Sequence, residues 1–240
     1  MAGPKDFFPY RNGILSAEEL PLSEIAEKFG TPVYVYSKSA FRTAFRELDD
    51  GLSGLDRLVC FAVKANPNLE ILKLLVREGA GMDLVSGGEL KRALRSGCPP
   101  ERIVFSGVGK TSAEIDEALG YPIHSFNVES VAELGVLNDR AKALGRRATV
   151  ALRFNPDVDP KTHPYVSTGL KKNKFGLSRA EILAWLKKHD LAGISVSGLS
   201  IHIGSQILSL RPFSDAYSKT NAMAEDIESI LGRPLSFLDL

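Results

Sequence analysis

Short β-branched, apolar runs alternate with amphipathic stretches along most of this chain, and that alternation limits the possible folds more than any other feature. Strand-like runs occupy residues 57–62, 81–85, 102–105, 123–128, 148–154, 194–201 and 235–240. Patterns of helical period fill the gaps at 69–77, 89–96, 112–119, 130–144, 179–189 and 212–231. Strand, helix and strand repeated in this way predict βα units around a parallel sheet with right-handed crossovers. The linker lengths suit a (β/α)8 barrel, a TIM-type fold that usually needs about 250 residues. The repeat found here stops at about seven of the eight strands.

Composition narrows the function classes. A chain of 240 residues with 44% apolar content can bury a large core. Thirty basic against twenty-nine acidic residues leave a net charge of +1. There is no dense basic cluster, so neither a nucleic-acid surface nor an anionic-membrane anchor has an electrostatic footprint, and a small-molecule partner is expected. Cys60 and Cys98 have neither metal-ligand spacing nor the numbers for a disulfide framework, which points to a reducing, cytoplasmic setting. The first residues lack the apolar core of a signal peptide, and no apolar run approaches the roughly 20 residues of a membrane span.

Helix starts support the same layout. Ser86, Thr111, Ser130 and Ser178 each stand three residues before a glutamate, at Glu89, Glu114, Glu133 and Glu181, and all four predict reciprocal capping boxes. Most of these follow a strand, and in a barrel the strand-to-helix loops line the face where active sites are built. Ahead of the barrel repeat, residues 10–15 read as a hairpin fragment without a partner in the chain, followed by a helix at 22–29, a strand at 33–36 and a helix at 38–48. Residues 1–37 are therefore assigned to an N-terminal segment and 38–240 to the barrel. A lone strand of that kind is marginal in water, so its pairing partner is expected from elsewhere.

One residue breaks the pattern of polar loops around apolar strands. In Cys60-Phe61-Ala62-Val63-Lys64-Ala65-Asn66-Pro67 an apolar run ends in a lysine and turns at Asn-Pro, presenting the amine where a strand stops. An amine held against apolar walls loses its charge more readily and can attack an aldehyde to form a Schiff base, pyridoxal phosphate being the commonest such aldehyde. A lysine at a strand end can also simply reach out to water.

These residues resemble a family. Phe61 to Asn66, with Ile71, Leu72, Leu75 and Gly79 beyond it, is similar to the pyridoxal-phosphate attachment site of the alanine-racemase-fold decarboxylases acting on ornithine, arginine and diaminopimelate. Met82-Asp83-Leu84-Val85-Ser86-Gly87-Gly88-Glu89-Leu90 and His202-Ile203-Gly204-Ser205-Gln206 are similar to two further motifs of that family, in the family's order. Arg153-Phe154-Asn155-Pro156 and the stretch from His163 to Gly176 look most like the diaminopimelate decarboxylases.

The resemblance implies a pyridoxal 5′-phosphate enzyme that decarboxylates meso-2,6-diaminopimelate to L-lysine, homodimeric in its complete form. It implies that Lys64 carries the cofactor and moves protons, that His202 lies on the ring face, and that Ser205 is near the phosphate. Asp83 would orient His202 or the lysine, and Arg153 would support the ring oxygen or the substrate carboxylate. Each residue also has a plainer reading. His202 would be a core histidine and Ser205 a turn serine, Asp83 would close its strand, and Arg153 would form an ion pair within the barrel mouth. Glu89 would be the cap of Ser86, and Lys171, Lys172 and Lys174 a solvated loop rather than an attractor for a dicarboxylate.

The sequence departs from the family after the seventh strand. The phosphate-cradling glycines, a Glu-Pro-Gly-Arg-like segment, the eighth strand and a C-terminal β domain are absent from it. The expectation is an N-terminal portion that is inactive and poorly stable alone. Ornithine, arginine or carboxynorspermidine decarboxylase, and a non-catalytic single-barrel pyridoxal-phosphate carrier, remain the alternatives.

Overall fold

The computed structural model describes residues 7–158 and 175–240. An N-terminal piece comes first, with strands β1 (Tyr10–Arg11), β2 (Ile14–Ala17) and β3 (Leu20–Pro21) and helices α1 (Leu22–Phe29) and α2 (Lys38–Gly51). The repeat then runs β4 (Cys60–Ala62), α3 (Leu69–Glu78), β5 (Gly81–Leu84), α4 (Gly87–Arg95), β6 (Ile103–Phe105), α5 (Ser112–Leu119), β7 (Ser125–Val128) and α6 (Val131–Ala143). It continues with β8 (Ala148–Arg153), α7 (Arg179–Lys188), β9 (Ile194–Ser200), α8 (Arg211–Leu231) and β10 (Phe237–Asp239). Strands β4 to β10 form one seven-stranded sheet in chain order. Every pairing in it is parallel.

Register assigns a side to each side chain, because facing partners in a parallel ladder share a face and neighbours along a strand alternate. Ala62 faces Asp83, Asp83 faces Val104, Asn127 faces Ala151, Arg153 faces Ser200 and Ser200 faces Asp239. This is the inner side of the curled sheet. The opposite parity carries Met82, Leu84, Ile103, Phe105, Phe126, Val128, Val150, Leu152, Val196 and Leu199, all at most 2% exposed beneath the helices. At about 25 cal/mol per Å2 of apolar surface, that helix-facing layer is the main source of cohesion. Gly81 is required by a close approach, since a Cβ there would sit 2.6 Å from the Arg102 carbonyl oxygen.

Several expectations are corrected. The hairpin fragment is not unpartnered: β1 pairs with β2 and β2 with β3, giving a small antiparallel sheet of its own. Glu18 Oε1 fastens this sheet to the start of α2, accepting from Ser37 Oγ (2.7 Å), the Ser39 amide (2.8 Å) and Ser39 Oγ (2.8 Å). Residues 33–36 join no sheet; they are carried instead by ring contacts from Tyr34 to Tyr36 to Phe41 and on to Phe61 of β4. Only two capping boxes are reciprocal, at Thr111/Glu114 and Ser178/Glu181. Ser86 and Ser130 cap their helices, but the carboxylates of Glu89 and Glu133 reach one residue further back, to the amides of Val85 (2.7 Å) and Glu129 (2.9 Å). Residues 163–174, including Lys171, Lys172 and Lys174, lie outside the described residues.

Candidate active site

The strand ends at the carboxyl side of the sheet place the candidate residues. After β4, the buried Val63 anchors a single 3-10 turn, Val63–Ala65. Pro67 forces Asn66 into an extended conformation (φ −158°, ψ 102°), so the turn cannot grow into a helix. The Asn66 side chain then accepts from the Asn68 amide at 3.1 Å, and Asn68 caps α3. Lys64 is held in the middle of this punctuation. It is exposed, not packed against apolar walls as the sequence suggested.

Burial dominates at Asp83 of β5 and pushes its carboxyl up to about 6, with Asp239 and Glu89 adding to the rise, while the Ser106 hydrogen bond and the nearby Lys64 ammonium pull the pKa the other way. Its hydrogen-bond partner is Ser106, whose Oγ donates to Asp83 Oδ1 at 2.5 Å, rather than His202. His202 stands just past β9 and is exposed. Its pKa is lowered by partial burial first, then by the positive charges of Arg153 and Lys64. His202 is thus within electrostatic reach of Lys64 and Arg153, and Asp83 within reach of Lys64. Ser205 is exposed in the loop beyond His202. Glu89 is occupied by the Val85 amide rather than by the Ser86 amide that the expected capping box required.

A chain of hydrogen bonds crosses the inner side of the sheet. Asn127 Nδ2 donates to Ser106 Oγ (3.0 Å) and to Asp239 Oδ2 (2.6 Å), linking two carboxylates from strands at opposite ends of the sequence repeat. Burial raises the Asp239 pKa, opposed by the Asn127 hydrogen bond and by His124 and Arg153. Cys60, beside these carboxylates, has its thiol pushed up to about 12, chiefly by burial. Such a thiol stays protonated and is a poor nucleophile.

Arg153 makes the ion pair that its plainer reading predicted: Nη1 donates to Glu129 Oε2 at 2.6 Å, with the Glu129 side chain 3% exposed. The guanidinium carbon also lies 5.8 Å from the centre of the Phe175 ring. Behind Glu129 is a residue that sequence reasoning missed. The Lys110 side chain is fully buried, and its Nζ donates to the carbonyl oxygens of Gly107 (2.7 Å) and Asn127 (2.8 Å) and to Glu133 Oε1 (2.6 Å).

Strand parity was the available signal for part of this arrangement, because a polar residue at an inward position of a barrel strand needs a reason. Asp83, Asn127, Arg153 and Asp239 all share that parity. Lys110 carried no such signal in its loop. Two surface clefts of about 380 and 440 Å3 lie elsewhere, the first between Tyr36, Phe41 and Ile71, the second beside Glu228 and Leu235. Neither is lined by Lys64 or His202.

An amine, an imidazole, a carboxyl and a guanidinium stand toward the carboxyl side of a parallel barrel-type sheet, the side on which active sites of such barrels are built. Residues 38–240 match the family model described as "Pyridoxal-dependent decarboxylase, pyridoxal binding domain", and the chain belongs to that family. It is 50% identical over 222 residues to a diaminopimelate decarboxylase from Pseudomonas fluorescens, covering 92% of this chain and 53% of that one. Among solved structures it is similar to diaminopimelate decarboxylase from Helicobacter pylori complexed with L-lysine, with a TM-score of 0.85, 43% identity, and coverage of 90% of this chain and 55% of that one. The arginine decarboxylase of Paramecium bursaria Chlorella virus shares the fold at a TM-score of 0.76 and 24% identity, with coverage of 91% and 56%. The chain spans about half the length of the curated relatives it matches. No described helix is long and apolar enough to cross a membrane.

The residues present fit pyridoxal phosphate. An accessible primary amine for attachment stands at a strand end, with an exposed imidazole and the Arg153 guanidinium within electrostatic reach of that imidazole.

Proposed function

We propose that the complete protein removes carbon dioxide from meso-2,6-diaminopimelate to give L-lysine, using pyridoxal 5′-phosphate held at Lys64. The observation that carries this reading is the exposed Lys64 amine at the end of β4, grouped with Asp83, His202 and Arg153, in a chain half identical to a diaminopimelate decarboxylase. When bound, the cofactor supplies an electron-accepting ring for the electron pair left at the α-carbon by departing carbon dioxide. The chain's own groups do the rest. Lys64 Nζ would attach the cofactor and, once displaced by the substrate amine, hold a proton near the reacting carbon.

Asp83, its carboxyl pushed up to about 6 chiefly by burial, would orient Lys64 from behind the amine. His202 would bear on one ring face and limit its motion, its lowered pKa keeping the ring neutral there. Arg153 would face the ring oxygen or substrate carboxylate, and Ser205 the phosphate. We also place the division between an N-terminal segment and the barrel at residues 37 and 38, and expect a cytoplasmic homodimer for the complete protein.

The test is carbon dioxide release by the complete protein, loaded with pyridoxal phosphate, from meso-diaminopimelate, ornithine, arginine and carboxynorspermidine in parallel. L-Lysine formed from meso-diaminopimelate, with far slower turnover of the others, is expected. Faster release from one of the polyamine precursors would overturn the substrate assignment, and no release from any of them would favour the non-catalytic carrier.

A further inference from the structure

Four charged side chains make a closed set behind the mouth of the barrel. Lys110 and Arg153 supply two positive charges, and Glu133 and Glu129 supply two negative ones. Lys110 Nζ meets Glu133 Oε1 at 2.6 Å, Glu133 Oε2 accepts from the Glu129 amide at 2.9 Å, and Glu129 Oε2 holds Arg153 Nη1 at 2.6 Å. Glu129 Oε1 is taken by the Gly107 amide at 3.0 Å. The side-chain exposures are 0% for Lys110, 11% for Glu133, 3% for Glu129 and 15% for Arg153, so the set is largely buried and Arg153 is its most exposed member.

An ammonium has three protons, and Lys110 uses all three inside the protein, on the Gly107 carbonyl in the loop after β6, on the Asn127 carbonyl within β7 and on Glu133. A buried carboxylate is tolerable only when paired and fully hydrogen-bonded, and Glu129 meets that condition through Gly107 and Arg153. Without the Lys110 charge, two carboxylates would compete for one guanidinium. Arg153 would then be drawn inward, or a carboxyl would take up a proton and release it. Either change alters the charge facing His202, whose pKa already registers Arg153.

We infer that Lys110 is a positioning residue, acting through Glu133 and Glu129 to fix the Arg153 guanidinium beside the cofactor position. The inference rests on the reading of Lys64 as the cofactor-bearing amine. The residue touches neither substrate nor cofactor, so its effect must pass along the four-charge set. What matters is charge balance rather than packing volume.

The test uses the complete protein with pyridoxal phosphate, and reads cofactor dissociation constant, cofactor absorbance spectrum and thermal unfolding for each variant. Lys110→Met keeps the stem and removes the charge. It should weaken cofactor binding about tenfold and shift the absorbance maximum, the size of effect typical when a supporting partner of a bound group is lost. Lys110→Met combined with Glu133→Gln restores neutrality, and binding should recover to within about threefold of wild type, a coupling that only interacting sites show.

A Lys110→Met protein that unfolds earlier yet binds cofactor with unchanged affinity and spectrum would overturn the inference, as would additive losses in the double variant. Should Lys110→Met not fold, Glu129→Gln asks the same question nearer Arg153, where unchanged binding and spectrum would refute it. Wild type that binds no better than Lys64→Ala would instead remove the site assignment on which all of this stands.

Discussion

The two faces of the same seven-stranded sheet differ more than any two elements of the molecule. The helix-facing parity is apolar and closed, from Met82 on β5 to Leu199 on β9, each 0% exposed. The inner parity of the same strands carries Asp83, Asn127, Arg153, Ser200 and Asp239. A shift of one residue along any strand would exchange the two sets. Cohesion is therefore carried by one side and chemistry by the other, and substitutions on the two sides should fail in different ways.

The largest expected effect lies on the apolar face. Phe126→Ala removes a ring that is 2% exposed and stacked 5.9 Å from Phe105. Such a truncation costs about 3–5 kcal/mol, and denaturant unfolding should show it as a midpoint shift with an unchanged slope.

On the inner face the effect of a substitution depends on pH. Asp83 rises from 3.8 to about 6 on folding, so the folded state holds the proton more tightly. The associated stability is present below pH 3.8 and is lost as pH climbs through 6. Asp83→Asn keeps an acceptor for Ser106 and removes the buried charge. It should be more stable than wild type at pH 7 by about 1–2 kcal/mol and level with it near pH 4, while cofactor attachment or turnover suffers. Equal stability at both pH values would break the contrast between the faces.

Smaller effects belong to the periphery. Glu18→Ala removes the shared acceptor of Ser37 and Ser39 and should cost about 1 kcal/mol, with proteolysis appearing first in the N-terminal sheet. Ser178→Ala removes one half of a reciprocal box and should cost about 0.5–1 kcal/mol in thermal unfolding, without touching cofactor binding.

Much of the fold was legible because it depends on local periodicity. Each of the seven barrel strands and six intervening helices falls within a few residues of the expected place, and α5 spans the expected residues 112–119. Capping chemistry read from spacing found all four N-caps but the right glutamate partner at only two of them, Glu114 and Glu181. Glu89 and Glu133 serve amides one residue earlier because those loops follow strands closely. The short N-terminal sheet was misread because two-residue strands such as β1 and β3 carry too little pattern to show their pairing.

Motifs picked out Lys64, Asp83, Arg153 and His202, all of which lie toward the carboxyl side of the sheet. Arrangements made by tertiary pairing were illegible. The Asn127 to Asp239 hydrogen bond joins positions 112 residues apart, and the Lys110 set joins loops after two different strands. Nor could sequence say that Lys64 stands in the open, because exposure there follows from a single 3-10 turn and a proline.

The most direct measurement is borohydride reduction of the protein incubated with pyridoxal phosphate, followed by peptide mass mapping. A pyridoxyl adduct confined to Lys64 and absent from Lys64→Ala is predicted. Labelling scattered over other lysines, or none, would contradict the claim that the carboxyl edge of this sheet is a cofactor site.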